Sequence, residues 1–456
     1  MGKRQMAWKR RILWLFTAGL VALGGQIAFV PAIAATPEIL TLEDAVALAL
    51  QNNRNVQNAA AEAEKTDAAL AALRTRRYPN LNLRYTGAQQ LNALDFEFKR
   101  GSLGNLSSGE AIPTTDTIIP TPRQWENQGQ AVMAQPLAQL YRLSLEIDQV
   151  GLAKTAAEEQ YRQSRTAVVN DVRKTYFGIL ESQSALRAVR EAMGFYTELE
   201  RLMTDHLRQQ TILRADLLEV RSKLARARYD ATRTENALTA QKEQLNHLLG
   251  RDLATPFSVS AAVNPAPPEM DLAAAVARAR ERRPEIREAK LKARQAEYGI
   301  RIKRSEYIPD VDLIVSYTRL PEMEIMPKDY AYAGIRVSWE PFDWGRRSQE
   351  LSERKKTLAQ ANTAAREAES LVIMDVSQRW RALRESHQYL ALTRLNAEAA
   401  RERLRVVMDR YRQQIALAKD LLQTQAQAAE ADHQVHQALL ACLAAHADFQ
   451  KALGGE

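Results

Sequence analysis

The chain has 456 residues, 46% hydrophobic and 26% charged, with a formal net charge of +8 and a single cysteine. Ala, Leu, Glu, Gln, Lys and Arg dominate while glycine and proline are sparse, which favours long helices and excludes a collagenous or disordered chain. One cysteine excludes an internal disulfide and a thiolate metal cluster, and Cys442, deep in a helical pattern, reads as a small buried hydrophobe.

Residues 1–34 read as a signal peptide. Lys3, Arg4, Lys9, Arg10 and Arg11 precede an apolar run from Ile12 to Leu23, and Ala32-Ile33-Ala34 supplies a small-x-small cleavage site. Removing the five positive charges leaves +3, so the case for a nucleic-acid partner falls away. No cysteine near the cleavage site could carry a lipid. Beyond this segment no run of eighteen apolar residues occurs, so a membrane crossing would have to use strands.

The remainder is a duplication. A shift of 230 aligns Leu42, Ala45, Val46, Ala49, Val56, Ala59 and Pro79 with Leu272, Ala275, Val276, Ala279, Ile286, Ala289 and Pro309. A shift of 204 aligns Asp171-Val172 with Asp375-Val376, Tyr176 with Trp380, Asp216-Leu217-Leu218 with Asp420-Leu421-Leu422, and Leu249-Gly250 with Leu453-Gly454. The change of shift places a longer loop in the first copy, before Pro136, which matches Pro341. A first repeat over 35–250 and a second over 271–456 are joined by a Pro-rich linker over 251–270.

Each repeat is predicted to run helix, strand, loop, strand, long helix, tight turn, helix. The opening helices cover roughly 42–76 and 272–306 and begin at capping residues Thr41 and Asp271. After Pro79 the period changes to two: Leu81, Leu83 and Tyr85 oppose Asn80, Asn82, Arg84 and Thr86. After Pro309, Val311, Leu313, Val315 and Tyr317 oppose Asp310, Asp312, Ser316 and Thr318. Strands are thus expected at about 79–91, 126–137, 309–319 and 329–341. The last places Ala331, Ala333, Ile335, Val337 and Trp339 opposite Tyr330, Tyr332 and Arg336, while Gln128 to Gln135 alternates only weakly. Tyr85, Trp125, Tyr317, Tyr330, Tyr332 and Trp339 cluster at these strands, as at a membrane interface or simply from β propensity. Four strands of about ten residues can cross a membrane but cannot close a barrel, which needs about eight. Either they stay out of lipid, or several chains share one barrel, three chains supplying about twelve strands. The loop from Leu91 to Arg123 is expected outside the cell.

The long helices, roughly 138–207 and 343–411, would each span about 100 Å, and Ala-rich faces suit antiparallel coiled-coil hairpins with the last helices, roughly 216–249 and 420–453. The turns RQQTILRAD, Arg208 to Asp216, and RQQIALAKD, Arg412 to Asp420, should be the free hairpin tips. Asp216 and Asp420 read both as caps for the following helix and as candidates for a pore mouth.

Four segments together, LTLEDAVALALQNN from Leu40, YPNLNL from Tyr78, WEPFDWGRR from Trp339, and the duplicated tip-to-Asp-Leu-Leu stretch, resemble the TolC-like outer-membrane efflux protein family over essentially the whole mature chain. The resemblance implies a mainly α fold with a β-barrel: a homotrimer with a twelve-stranded barrel in outer-membrane lipid above a long α-helical tunnel in the periplasm. It implies a passive channel that exports drugs, metal ions, small molecules or proteins, with a periplasmic adaptor and an inner-membrane pump as partners and no cofactor. It implies that Asp420 narrows the pore, that Tyr411 latches onto Asp216, and that the tips with Arg208, Gln209, Gln210, Arg412, Gln413 and Gln414 dock the adaptor. The sequence departs from the family where Gln210 and Gln414 replace the usual tip glycines, Gln423 a second acid, and Ala416 a basic gating residue.

No nucleophile motif, phosphate-binding loop or metal signature is present, so an enzyme is not expected. His433 and His436 share a helical face but lack a third ligand and read as solvated or tunnel-lining side chains rather than a metal site. A periplasmic coiled-coil structural or adaptor protein without a pore is the competing class; it has no use for aromatic-ended strand pairs. An autonomous secreted binding protein would need a compact domain apart from the helices.

Overall fold

The computed structural model describes residues 38–89, 91, 95–119, 125–209, 213–260, 270–319, 328–413 and 415–455. The expected signal peptide, residues 261–269 of the Pro-rich linker, Gln210 and Gln414 lie outside the described residues. In chain order the elements are β1 (Glu38–Leu40), α1 (Leu42–Asn52), α2 (Arg54–Thr75), β2 (Asn80–Gln89), β3 (Phe96–Phe98), β4 (Thr117–Ile119), β5 (Trp125–Pro136), α3 (Gln139–Arg208), α4 (Arg214–Leu248), β6 (Phe257–Val259), α5 (Leu272–Arg282), α6 (Pro284–Ser305), β7 (Asp310–Arg319), β8 (Asp329–Ser338), α7 (Arg346–Arg412) and α8 (Ala418–Ala452). The chain is mostly helical.

Each opening helix, expected as one, is two. Asn53 ends α1 and caps α2, its Oδ1 accepting from the Asn55 N–H at 2.9 Å and its Nδ2 donating to the Leu248 carbonyl at 2.8 Å. In the second repeat Pro284 restarts the helix at its first position, where a missing N–H costs nothing, and holds Arg283 extended. Thr41 and Asp271 cap as expected, accepting from Asp44 N–H at 3.1 Å and Ala274 N–H at 2.7 Å.

The two long helices contain 70 and 67 residues and run unbroken, about 100 Å each. On the side near the strands they pack in the order α2–α3–α6–α7; on the far side the order is α4–α3–α8–α7. The two repeats therefore meet along α3. Where the layers change over, each repeat has its own core, and the two correspond residue by residue. Ala45, Ala49, Val56, Val172, Ile179, Leu245 and Leu249 in the first match Ala275, Ala279, Ile286, Val376, Leu383, Phe449 and Leu453 in the second. Tyr176, 1% exposed, lies within hydrogen-bonding distance of the Leu40 carbonyl and of three Ser260 atoms, all at 3.0 Å. Its counterpart Trp380 donates to the Met270 carbonyl at 3.1 Å. Cys442 is buried with Leu390 and Ala438, the hydrophobe its sequence context suggests.

The four long strands form one antiparallel sheet in the order β2–β5–β7–β8. β5, despite its weak alternation, is paired over its length because it lies between β2 and β7; neighbours, not intrinsic preference, fix a central strand. Two features were not foreseen: a three-residue parallel pair, β1 with β6, and a β3–β4 hairpin within the long loop between β2 and β5. Among the described residues no helix is long and apolar enough to cross a membrane, and the sheet is open, with β2 and β8 as its edges.

Candidate functional site

The register of the sheet sorts its side chains into two faces, as directly opposed residues share a side. One face carries rungs Leu81–Met133–Val315–Ala333 and Leu83–Ala131–Tyr317–Ala331, continued by Leu313, Ile335, Val311 and Val337. The other carries Asn82–Val132–Ser316–Tyr332 and Arg84–Gln130–Thr318–Tyr330, continued by Asp312 and Arg336. The apolar face is bare, Leu83 being 74% exposed and Ile335 68%; the edge strands β2 and β8 are exposed on both faces, and only the central strand β7 buries its polar side. On the polar face Ser316 and Thr318 are buried among their neighbours, and their hydroxyls have no hydrogen-bond partner in the structure. A soluble half-wetted sheet has the opposite polarity, apolar side covered and polar side wet.

Aromatic groups bound the apolar face at both ends. At the loop end the Tyr85 hydroxyl and the Trp125 indole N–H both donate to Asn127 Oδ1, at 2.6 and 2.8 Å, and Tyr317 donates to Asp329 at 2.8 Å. At the helix end stand Trp339, Phe342 and Trp344, the last two with ring centroids 4.8 Å apart. From Ala331, the rung of Tyr317, to Trp339 is about 26 Å along the strand.

Trp344 has the one positive φ, 57°, of a described non-glycine residue. The turn around it is held by Asp343, which accepts from the N–H groups of Gly345 at 3.1 Å and Arg347 at 3.0 Å; the Arg347 N–H chiefly holds its carboxyl below the usual range. The buried Arg347 reaches back to the Glu340 carbonyl at 2.7 Å and carboxylate at 2.9 Å. At this end of the sheet the acids of the polar face are matched: Asp310 with Arg142 at 3.0 Å, Asp312 with Arg336 at 3.5 Å and Gln139 at 3.2 Å.

The hairpin tips lie at the other end of the long helices. Arg208 and Arg412 are the last residues of α3 and α7, exposed and paired with Asp205 at 3.3 Å and Asp409 at 3.7 Å. Gln209 and Gln413 are the C-caps, both exposed. Asp216 and Asp420 were expected to be N-caps; each is instead the third residue of its helix, behind N-caps Leu213 and Leu417. Asp216 still serves the helix start, its carboxylate accepting from Leu213 N–H at 3.2 Å. Asp420 is exposed. Tyr411 is 42% exposed, and no hydrogen bond joins it to Asp216 within the chain.

Sequence reasoning missed Leu213 and Leu417, equivalent under the shift of 204 and 72% and 69% exposed, with Ile415 beside them at 71%. The duplication could have found them: an aliphatic repeated at the one turn where no core exists. It also missed the groove between the repeats, formed by Ala188, Ala192 and Phe195 of α3 with Ala426, Ala429 and His433 of α8. His433 therefore lines that groove between α3 and α8, and His436 is exposed; among the described residues no cluster of His, Cys, Asp or Glu could hold a metal.

A family model described as outer membrane efflux protein matches residues 45–251 and 275–455. No curated protein matches the sequence. Among solved structures the fold is similar to that of a membrane protein from Pseudomonas aeruginosa, at 20% identity and TM-score 0.74, covering 91% of this chain and 90% of the other. It is similar to the Campylobacter jejuni CmeC outer membrane channel at 15% identity and TM-score 0.75, with coverages of 91% and 85%. It is also similar to the open state of the Neisseria gonorrhoeae MtrE outer membrane channel at 18% identity and TM-score 0.69, with coverages of 91% and 89%.

Proposed function

The chain belongs to the outer membrane efflux protein family, and from that premise we propose that it is the outer-membrane channel of a tripartite export system, a passive duct rather than an enzyme. The observation that carries the reading is the inverted polarity of the sheet. An apolar face between two aromatic belts, backed by a polar face, is the arrangement of a strand set with lipid outside and water inside.

The strand order supports sharing of the barrel among copies. β2 and β8 are free edges, and an edge cannot remain unpaired in lipid. The four strands alternate in direction, so β8 of one copy next to β2 of another continues the antiparallel pattern. Three copies give about twelve strands, within the range of bacterial barrels. The helices, about 100 Å long, would extend the lumen through the periplasm. Leu213, Ile415 and Leu417 at the tips, with the Ala-lined groove between α3 and α8 above them, suit helical hairpins of a periplasmic adaptor. Arg208, Gln209, Arg412 and Gln413 would form the polar rim of that contact. Asp420, exposed beside the second tip, would meet its symmetry mates around the axis and narrow the pore. Energy would come from an inner-membrane pump.

The test is assembly and conduction. Protein purified from outer membranes should run as a trimer and give discrete ionic currents in planar bilayers. A monomer released from the periplasm by osmotic shock would instead support a pore-free coiled-coil protein.

A further inference from the structure

We propose that the barrel lumen holds a ring of three Arg84 side chains that binds multivalent anions, phosphate- or carboxylate-bearing, as they pass. The inference rests on the trimeric channel reading above.

Arg84 lies on the polar face, exposed, in the rung Arg84–Gln130–Thr318–Tyr330. The adjoining rung, Asn82–Val132–Ser316–Tyr332, is uncharged, and so is Thr86 with Gln128 on the other side. The acids Asp312 and Asp310 of this face are about 20 and 26 Å along the strands and already matched to Arg336 and Arg142. The nearest acidic register position is Glu126, four residues from Gln130 on β5 and so about 13 Å distant. Arg84 makes no ion pair among the described residues, unlike Arg336 of the same face and Arg142 of α3, which pair with Asp312 and Asp310. Its neighbours are neutral hydrogen-bonding groups, Asn82, Thr86 and Gln130, which can donate to an oxyanion without competing for the guanidinium.

Rotational symmetry puts the same residue of every copy at one height, whatever the register between copies. Twelve strands about 4.8 Å apart and tilted about 40° give a backbone radius of about 12 Å. Three guanidinium groups pointing inward from that wall lie within about a Debye length of one another, so their fields overlap. Rings of arginine are how pores favour anions and phosphates, and low-dielectric walls focus such a field along the axis. A single charge per copy thus becomes a trivalent ring with no anion of its own, whereas the arginines below it cancel locally.

The experiment is block of bilayer currents by inorganic tripolyphosphate, added to each compartment in turn. Block is expected from the barrel side at a concentration about tenfold or more below that from the tip side. Arg84→Gln should raise that concentration about tenfold or more, while Arg84→Lys, which keeps the charge, should stay within about threefold of the parent. Thr86→Glu, placing a carboxylate on the same face two residues away, should weaken block as Arg84→Gln does; it decides the matter if Arg84→Gln fails to assemble. Conducting channels whose tripolyphosphate block is unchanged in Arg84→Gln, or in Thr86→Glu where the former does not assemble, overturn the ring and leave the channel reading standing. A parent protein that gives no ionic current overturns the channel reading, and the ring with it.

Discussion

Gly250 lies against the carbonyl of Asn52, so close that a Cβ on the glycine would stand 2.3 Å from that oxygen. The second repeat makes the same approach between Gly454 and Arg282, with the corresponding nearest atom at 3.0 Å. Both glycines have positive φ, 69° and 75°. The end of each repeat is thus keyed into the break of its opening helix pair, beside Asn53 in one and Arg283 in the other.

Gly250→Ala is therefore expected to lower stability by about 2 kcal/mol or more, combining left-handed backbone strain with a contact that only backbone movement can relieve. Gly454→Ala should cost less, since its neighbour needs to yield less. Thermal melting of the two purified variants in detergent checks the order, and equal melting temperatures would contradict it.

The polarity of the sheet predicts opposite outcomes at adjacent positions. Leu81→Lys puts a charge on the apolar face at mid-height and should cost about 2–4 kcal/mol on insertion. Asn82→Lys, one residue on and facing the other way, should assemble normally. The amount of heat-resistant trimer in outer membranes separates them; tolerance of both would mean that the face of Leu81 does not meet lipid.

The two tip aspartates should divide their roles. Asp420→Ala should weaken block by trivalent cations about tenfold, because ring charge sets local ion concentration. Asp216→Ala should chiefly cost stability, about 1 kcal/mol, through the lost hydrogen bond to Leu213 N–H. Dose–response curves for block in bilayers, with melting curves alongside, test the assignment. Block that fades only in Asp216→Ala would exchange the two.

His446 predicts acid sensitivity. Burial, then His387, then Arg173 hold its pKa below the ordinary 6.5. The unfolded chain therefore binds the proton more readily, and stability falls as pH drops through 6.5 toward the folded value. Melting temperature should decline between pH 7.5 and 5.5, and decline less in His446→Gln. Identical pH profiles would exclude His446 as a contributor.

Much of this arrangement was legible in the residues because periodicity and duplication are both local signals. Alternation around Leu81 and Val315 set the strands and their two faces, and the matched cores Ala45/Ala275 and Val172/Val376 follow the aligned shifts. What escaped depends on distant partners. Asn53 reads as an ordinary polar residue in a helix until the Leu248 carbonyl, 195 residues away, claims its amide. The β1–β6 pair has three residues per strand, too few for a period, and is held by Tyr176 from a third element. At the candidate gate, residue types suggested Asp216 and Asp420 as caps, but the chain starts each helix three residues earlier than an aspartate cap would allow.

The burial of Thr318 has one more consequence. A contact of β8 with β2 of the next molecule joins unlike surfaces, and such contacts build either closed rings or endless fibres, according to the angle turned per molecule. Side chains on the polar side of β7 are crowded to 0% exposure at Thr318 and 1% at Ser316, the mark of a surface curled inward. In the proposed assembly that curl fixes how many molecules complete the circle. Larger residues at these two positions would flatten the arc, and the first casualty would be stoichiometry, with a fourth molecule admitted or the ring left unclosed.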